Sequence, residues 1–364
     1  MPPSPRGYWY LAGLVVTFKR ALQLNGRRSE MTVQISILGL GQVGSSIGLA
    51  LAAARDQITR VGNDREAEVL KQAQKLNVVD RIAPTLPDAV GGADVVILAL
   101  PVDEVRSTLQ TIAPHLKPGV VVLDTSPATV QATCWAQELL TSPECYFLTF
   151  TPAANARYLG ELDQGPTSAH ADLFKDNIIM ITSAPGVDES AVQLAENLAR
   201  LIGSTPIFSD PYEVDGLLSA SHVLPGLIAA ALVNVTAGMP GWNDGRKIAN
   251  ARFARIADLA AYPGGGKKPG EEALQNRENT LRALDNLIGE LYEIREALAS
   301  GNETAFHERL ERARQLHAAW FRQRTSGTWE EGAQGASLPS FGETLGRLFG
   351  IRPKGDQEKR NSNR

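Results

Sequence analysis

Three glycines of this 364-residue chain stand at a spacing that suits phosphate binding. They follow a predicted strand and open a predicted helix, the context in which a GxGxxG motif binds a dinucleotide. The first glycine allows a tight turn, the second lets the backbone approach a pyrophosphate, and the third lets the helix pack closely on the strand. The helix N-terminus faces the anion. The sequence therefore predicts a dinucleotide site formed by Gly39, Leu40, Gly41, Gln42, Val43 and Gly44.

A carboxylate stands where a dinucleotide site needs one. Asp64 lies twenty residues beyond Gly44, at the end of the second predicted strand, where it can accept hydrogen bonds from ribose hydroxyls. Its charge would repel a 2′-phosphate, so NAD is favoured over NADP, although Arg65 could offset that repulsion or stack on the adenine. The alternative is that Asp64 only forms the turn after the strand. Leu100 and Pro101, which close another predicted strand, should line the nicotinamide side.

The elements that must position these residues alternate between β-branched runs and segments of helical period. This pattern predicts an α/β fold, with an N-terminal Rossmann domain over residues 31–209 built on a doubly wound sheet. Several runs are apolar enough to be buried on both faces. The predicted strands are Val33–Leu38, Thr59–Asp64, Asp94–Leu100, Val120–Asp124, Tyr146–Phe150, Asn177–Thr182 and Thr205–Phe208.

Beyond residue 209 the pattern becomes helical, and it predicts an all-helical substrate and dimerisation domain over residues 210–324. Apolar residues from Leu217 to Leu232 predict one long, mostly buried helix, and those from Leu281 to Leu298 predict a second. Such apolar helices need partners, which a homodimer interface or a large intrachain core could supply. Residues 1–30 are predicted to be an N-terminal extension and residues 325–364 a flexible tail.

Composition narrows the possible partners and compartment. A net charge of −4 and a pI near 5.8 provide no basic field for nucleic acid. Two cysteines without a CxxC spacing suggest neither a disulfide framework nor a zinc site, so we expect no metal and a cytoplasmic location. The apolar run from Tyr8 to Phe18 is too short to span a bilayer and lacks a clear cleavage site, so no membrane partner is expected.

From Met31 to Arg324 the order of motifs resembles the prephenate and arogenate dehydrogenase family. The resemblance implies oxidation of the ring hydroxyl of prephenate by NAD with loss of CO₂, a step of tyrosine and hence aromatic amino acid biosynthesis. The segments that carry the resemblance are the Gly39 to Gly44 turn, Asp64-Arg65, Ala99-Leu100-Pro101-Val102, Asp124, Asp215, Ser221-His222-Val223-Leu224-Pro225, Arg255-Ile256-Ala257 and Asn276.

The chain departs from the family where the family's catalytic base is expected. Thr151 stands in place of the histidine that accepts the hydroxyl proton, and a threonine cannot do so near neutral pH. Pro127 stands in place of a serine, and Gly226 in place of a second histidine. Three polar contacts are therefore missing together, which indicates changed chemistry.

The remaining candidates follow from what the chain retains. Ser126, one position before Pro127, could still reach the substrate hydroxyl, and we assign catalytic roles to His222, Ser126 and the Thr151 position. His170 is a further candidate base, although a lone histidine is more often structural. The resemblance implies that Arg255 and Ser221 bind substrate, because a guanidinium holds a carboxylate in a bidentate way.

These observations favour an NAD(P)-dependent dehydrogenase that acts on prephenate or a related small carboxylate. Two alternatives remain open. One is a dehydrogenase of another hydroxycarboxylate, since β-hydroxyacid dehydrogenases also join a Rossmann domain to a helical one. The other is a homologue that binds NAD without turnover, which the loss of the histidine would explain.

Overall fold

The computed structural model describes residues 32–161, 165–261 and 270–327. The predicted extension over residues 1–30 and all but the first three residues of the predicted tail lie outside these ranges. One eight-stranded sheet, with the order β3-β2-β1-β4-β5-β6-β7-β8, forms the centre of the described N-terminal part. The first six strands are parallel and follow the order of a dinucleotide-binding Rossmann sheet. The predicted fold class is confirmed.

The strands are β1 Val33–Leu38, β2 Ile58–Asn63, β3 Arg81–Ile82, β4 Val95–Leu98, β5 Val121–Asp124, β6 Tyr146–Pro152, β7 Ile178–Ser183 and β8 Thr205–Phe208. The helices that accompany the sheet are α1 Gln42–Leu51, α2 Ala67–Lys75, α3 Leu86–Val90, α4 Val102–Ile112, α5 Thr129–Leu139 and α6 Glu189–Leu201. The helices that follow are α7 Pro211–Leu218, α8 Leu224–Ala237, α9 Trp242–Ile248, α10 Ala251–Ala257, α11 Glu271–Gln275, α12 Arg277–Ala299 and α13 Glu303–Ser326.

Side chains of the central strands point alternately to the two faces of the sheet, and each face has its own apolar core. Ile35 and Ile37 of β1 pack into the core that α1 and α6 cover. Leu38 of β1 and Leu98 of β4 pack into the opposite core, under α4 and α5. Because both faces are covered, the central strands read as continuous apolar runs, which is why the sequence revealed them.

The sheet differs from the prediction towards both of its edges. The short strand β3 was not predicted, because two residues carry no periodic signal. The connection from β6 to β7 contains short 3-10 turns instead of a crossover α-helix, and the two strands pair antiparallel. Strand β6 also extends through Pro152, so Thr151 lies inside the strand and opposite Met180. The prediction of a strand that ends at Phe150 was therefore wrong.

Residues 211–237 form one helical run in three parts. α7 passes into a π-helical turn at Ser219–Val223, which continues as α8. By length and composition alone this run could cross a membrane, a test that core helices of soluble proteins also pass. The prediction that it is mostly buried was wrong: Leu217 and Val235 are exposed, and Ala229 is the buried residue of α8.

The chain divides into two compact units, residues 1–279 and 280–364. The described part of the second unit is a hairpin of α12 and α13, whose antiparallel arms are joined by ion pairs. Arg309 of α13 bonds Glu290 at 3.0 Å and Glu293 at 2.7 Å. The predicted domain boundaries at residues 209 and 324 stay predictions.

A buried arginine fixes β2 against the turn that follows α2. The Arg60 guanidinium, whose side chain is 4% exposed, donates to Asp80 at 2.6 and 3.0 Å and to the Gly48 carbonyl at 2.8 Å. The hydrogen bonds from Arg60 hold the pKa of Asp80 below its ordinary value of 3.8, against the effect of burial. A buried cation of this kind depends on its partner.

We expect Asp80→Asn to lower the free energy of unfolding by about 2–3 kcal/mol at neutral pH. The value lies below that of a fully buried pair because the Asp80 side chain is 36% exposed and water screens it. Since the folded-state pKa is depressed, the stabilisation is present above the unfolded pKa and is lost as the pH falls through the folded one. Urea unfolding should therefore show the two proteins converging below about pH 3.8. The exposed Asp244→Asn is the control, with an expected change within about 0.5 kcal/mol; an equal effect of both substitutions would contradict the prediction.

Candidate functional site

A cleft of about 910 Å³ opens at the carboxyl ends of β1, β2, β4, β5 and β6. It lies where the strand order reverses, between β1 and β4, which is where open α/β sheets bind ligands. Its size suits a cofactor or small-molecule site. The wall opposite the sheet includes Leu218 and His222, at the junction of α7 and the π-helical turn.

The glycine turn forms one end of this cleft. Gly39 adopts a φ of +90°, and a Cβ there would lie 2.2 Å from the Ala99 carbonyl oxygen. A Cβ on Gly44 would lie 2.0 Å from the Gly39 carbonyl oxygen. Helix α1 begins at Gln42, and no side chain caps its first turn. The turn therefore requires glycine at both positions, and the helix presents backbone N–H groups that can bind an anion.

Asp64 lies directly beside the turn. Its Oδ2 accepts the Leu40 N–H at 2.8 Å, and its Oδ1 accepts the Glu66 N–H at 2.9 Å. The next residue, Arg65, forms an ion pair with Glu104 of α4 across the cleft rim. Each carboxylate oxygen of Asp64 has a second lone pair, so it can still accept from a ribose hydroxyl. Asp64 therefore lies next to the glycine turn, and its predicted role in binding ribose stays a prediction.

The other end of the cleft is polar and deeply buried. Asp124 ends β5 with no exposed surface, and its Oδ2 accepts the Ser126 hydroxyl at 2.5 Å. Its Oδ1 has no hydrogen-bond partner among the described residues. Burial raises the pKa of Asp124 to about 7, although the hydrogen bonds from Ser126 oppose the shift. Ser126 is 1% exposed and lines the cleft.

Thr151 lines the same end of the cleft from β6. Its hydroxyl is buried, and it too finds no partner within the described ranges. Buried polar groups are seldom left unpaired, and such groups in a cleft wall suit a polar ligand. Thr151 can donate to or accept from such a ligand, but it cannot remove a proton near neutral pH.

His222 is carried by the π-helical turn, a feature frequent at functional sites. Ser221 donates its one hydroxyl hydrogen to the Leu217 carbonyl at 2.8 Å, and its oxygen lies 3.0 Å from Nδ1 of His222. With the Ser221 hydrogen on the Leu217 carbonyl, Nδ1 is the donor of that pair and Nε2 is an acceptor. Although His222 is exposed, desolvation by the atoms around its ring lowers its pKa from the ordinary value of 6.5. The imidazole is thus neutral at pH 7.

Asp215 connects the two walls. Its Oδ1 accepts the Thr129 N–H and hydroxyl, each at 2.7 Å, and its Oδ2 accepts the Val130 N–H at 3.2 Å. It thereby caps α5, whose own N-cap, Ala128, has no side-chain acceptor. Asn276 in turn donates to the Asp215 carbonyl at 2.6 Å. The loop after β5 and the helix that carries His222 are held together by this carboxylate.

The loop after β6 closes one side of the cleft. Pro166 is buried in the cleft wall, and the nearby Ser168 carbonyl accepts from Gln42 Nε2 at 3.1 Å. His170 lies outside the cleft lining, stacked on Tyr158 at 3.9 Å, and its Nε2 is 2.9 Å from a Glu161 carboxylate oxygen. This placement favours a structural role for His170.

Most of the predicted site residues meet in this cleft. Those that line it are Gly39, Gly41, Gln42, Val43, Asp64, Arg65, Leu100, Pro101, Ser126, Thr151 and His222. Leu40 and Gly44 lie beneath it as buried parts of the turn. Ser221 contacts His222 instead of the cleft, and Arg255 is exposed on α10, outside the lining. The substrate roles of Ser221 and Arg255 stay predictions.

Sequence reasoning did not assign functional roles to Asp124 and Glu104. The position of Asp124 at the end of a predicted strand is visible in the sequence. The burial of its side chain is not. Nothing in the sequence pairs Glu104 with Arg65. Among the described residues, no group of three or more His, Cys, Asp or Glu side chains could hold a metal ion.

Comparison with known proteins agrees with this geometry. The family model for the nucleotide-binding domain of prephenate dehydrogenase matches residues 47–207. Cyclohexadienyl dehydrogenase of Zymomonas mobilis is 27% identical over 275 residues, which cover 74% of this chain and 90% of the relative. Prephenate dehydrogenase of Bacillus subtilis is 26% identical over 282 residues, which cover 73% of this chain and 70% of the relative.

A solved structure shares the fold. Prephenate dehydrogenase of Aquifex aeolicus, crystallised with hydroxyphenyl propionate and NAD⁺, superimposes with a TM-score of 0.68 and 19% identity. The match covers 80% of this chain and 99% of that one. The glycine turn and the Rossmann strand order agree with these sequence matches, which support membership of the prephenate dehydrogenase family, most directly for the nucleotide-binding part over residues 47–207.

Proposed function

We propose that the protein is an NAD-dependent dehydrogenase that oxidises prephenate, or the closely related arogenate, in tyrosine biosynthesis. The observation that carries the proposal is that one cleft joins two features. The glycine turn and Asp64 lie at one end, and the buried polar residues Ser126 and Thr151 lie at the other. Relatives named for prephenate and cyclohexadienyl substrates support the choice of substrate. We further propose that the enzyme works in the cytoplasm, with neither nucleic acid nor membrane as partner.

The residues at the turn fit NAD. The uncapped first turn of α1 can bind the pyrophosphate through backbone N–H groups, and the close approach at Gly39 leaves no side chain in the way. Asp64 can bind the ribose hydroxyls and repels a 2′-phosphate. When bound, the nicotinamide supplies the acceptor for the hydride. The chain's own contribution is to hold the coenzyme and the substrate in one cleft.

At the substrate end, Ser126, Thr151 and His222 surround the space where a ring hydroxyl would lie. Neutral His222 can accept a hydrogen bond through Nε2, and Thr151 offers a buried hydroxyl. Arg255 remains our candidate for a substrate carboxylate, with Ser221 acting through the orientation of His222.

Purified protein should form NADH from prephenate or arogenate, measured by the absorbance of NADH. Gly39→Ala should abolish both turnover and coenzyme binding, because its Cβ would overlap the Ala99 carbonyl in a left-handed backbone conformation. Gly119→Ala is the matched control, since Gly119 has a similar φ of +83° with open space around it. NAD binding without turnover of either substrate would instead favour a non-catalytic homologue, and turnover of only a simple hydroxy acid would favour the other dehydrogenase class.

Asp64→Ser should shift the coenzyme preference towards NADP. Loss of a charged acceptor to the ribose should weaken NAD binding by about 10- to 100-fold, while removal of the negative charge lets Arg65 approach a 2′-phosphate. The measurement is the ratio of kcat/KM for the two coenzymes. Glu68→Ser removes an exposed negative charge on the neighbouring helix α2 and should leave that ratio unchanged. An unaltered ratio in the Asp64 variant would assign Asp64 to turn formation alone.

We also propose a homodimer formed through the helical region. Helix α12 carries a row of exposed apolar residues at helical spacing: Leu281, Ile288, Leu291 and Leu298 are each about half exposed or more. Apolar patches of this kind on a soluble protein mark interaction surfaces. A second copy is the economical partner, because closed symmetric dimers are the commonest assemblies.

Light scattering should give a mass of about twice 39.1 kDa for the wild type. Ile288→Glu should move the population towards monomer, because the exposed isoleucine would lie in the apolar contact. Asn286→Glu adds the same charge at an exposed polar position of the same helix and should leave the mass unchanged. A monomeric wild type at micromolar concentration would contradict this part of the proposal.

A further inference from the structure

Over the residues that the structure describes, the fold gives the buried Asp124, at the end of β5, no charged partner that would stabilise its carboxylate. Asp124 pairs in register with Leu98 on β4 and Thr149 on β6, so its neighbours in the sheet carry no charge. One carboxyl oxygen binds the Ser126 hydroxyl, and the other finds no partner in the described part of the chain. A carboxyl group with no exposed surface and no cation against it is costly to keep for packing alone.

Ser126 connects this acid to the cleft. The serine lines the cleft wall beside Thr151, whereas Asp124 lies behind it. A hydroxyl has one donor and two acceptor sites, so Ser126 can take a hydrogen bond from a substrate while it donates to Asp124. Ser126 Oγ lies 2.5 Å from Asp124 Oδ2, within hydrogen-bond distance, so a proton can pass directly between the two groups.

The charges around this pair leave it able to titrate. Asp215, on the packed helix α7, uses its carboxylate on Thr129 and Val130, and the pKa of His222, across the cleft, is lowered so that the ring is neutral. Arg65, Glu104 and Asp64 lie at the coenzyme end. Desolvation is therefore the main cause of the raised pKa of Asp124, and the value of about 7 suits a group that takes and returns a proton at neutral pH.

We propose that Asp124, acting through Ser126, is the proton acceptor that replaces the absent histidine. This inference rests on the proposed function. The substrate hydroxyl passes its proton to Ser126 Oγ as Ser126 passes its own proton to Asp124 Oδ2. The C–H bond of the carbinol carbon then breaks, and its electron pair leaves with the hydrogen as hydride, which the coenzyme accepts. The C–C bond to the ring carboxylate then breaks, CO₂ leaves, and the electron pair completes the aromatic ring. The same proton returns through Ser126 to the oxygen, which becomes the phenol hydroxyl.

The kinetic test compares Asp124→Asn and Ser126→Ala with the wild type over a range of pH. The wild-type kcat should fall as the pH drops below about 7, because the acceptor must be ionised. Each variant should lose about 10²- to 10⁴-fold in kcat together with that pH dependence, while NADH binding measured by fluorescence stays within about twofold. Ser126→Thr, which keeps a hydroxyl, should recover most of the rate. Asp188→Asn, at the distant N-cap of α6, is the control carboxyl variant and should retain wild-type kcat.

Two kinetic outcomes would overturn the proposal. One is an Asp124→Asn enzyme with wild-type rate and pH profile. The other is a pH profile that survives in Asp124→Asn but disappears in His222→Asn, which would assign the proton to His222.

A second measurement is independent of turnover and of whether Asp124→Asn folds. Difference infrared spectra of the wild type should show a carboxylic acid band that titrates near pH 7 and is altered in Ser126→Ala. Carboxyl groups that are all ionised from about pH 5 to pH 9 would overturn the proposal. If the wild type turns over neither prephenate nor arogenate, the proposed function fails, and this titration still decides whether the buried acid can hold a proton.

Discussion

The site depends on one carboxylate that caps a helix belonging to a different part of the chain. Asp215 accepts three hydrogen bonds from Thr129 and Val130 at the start of α5, and without them the two N–H groups of that turn would be orphaned. Desolvation raises the pKa of Asp215, and the three bonds oppose that shift by favouring the charged form. The interaction fixes the loop after β5 and the helix that carries His222 at one distance from each other. Without it, the cleft would have a coenzyme half and no opposing wall.

The two ends of the cleft follow different rules. At the coenzyme end, the backbone conformation determines what can bind. Gly39 has a left-handed conformation, the first turn of α1 is uncapped, and the Asp64 carboxylate is hydrogen-bonded to the turn. At the other end, the side chains of Ser126, Thr151, His222 and Asp124 determine what the cleft can bind. A neutral histidine and a threonine can orient a hydroxyl, whereas a carboxyl group with a pKa near 7 can also exchange its proton. Orientation and proton transfer are thus assigned to different residues.

The sequence was most informative where structure is local. Buried parallel strands appear as continuous β-branched runs, and the glycine turn with Asp64 is encoded within twenty-six residues, 39–64. It was least informative where structure depends on distant partners. Nothing local indicates that β6 pairs antiparallel with β7, that the helical run from residue 211 contains a π-helical turn, or that few of its residues are fully buried. The Asp215 cap joins residues 85 and 86 positions apart, and the burial that raises the pKa of Asp124 comes from neighbouring strands and helices.

Pro127 has a physical consequence for the residue before it. Pro127 restricts the residue before it to extended conformations, because the proline ring clashes with a helical backbone at that position. Ser126 is therefore held at the end of β5 with its hydroxyl directed onto the Asp124 carboxylate of the same strand end. The same proline lacks an N–H and lies next to Ala128, which has no side-chain acceptor, so the start of α5 depends on the carboxylate of Asp215. Pro127 thus links the serine, the buried acid and the long-range cap at one end of the cleft.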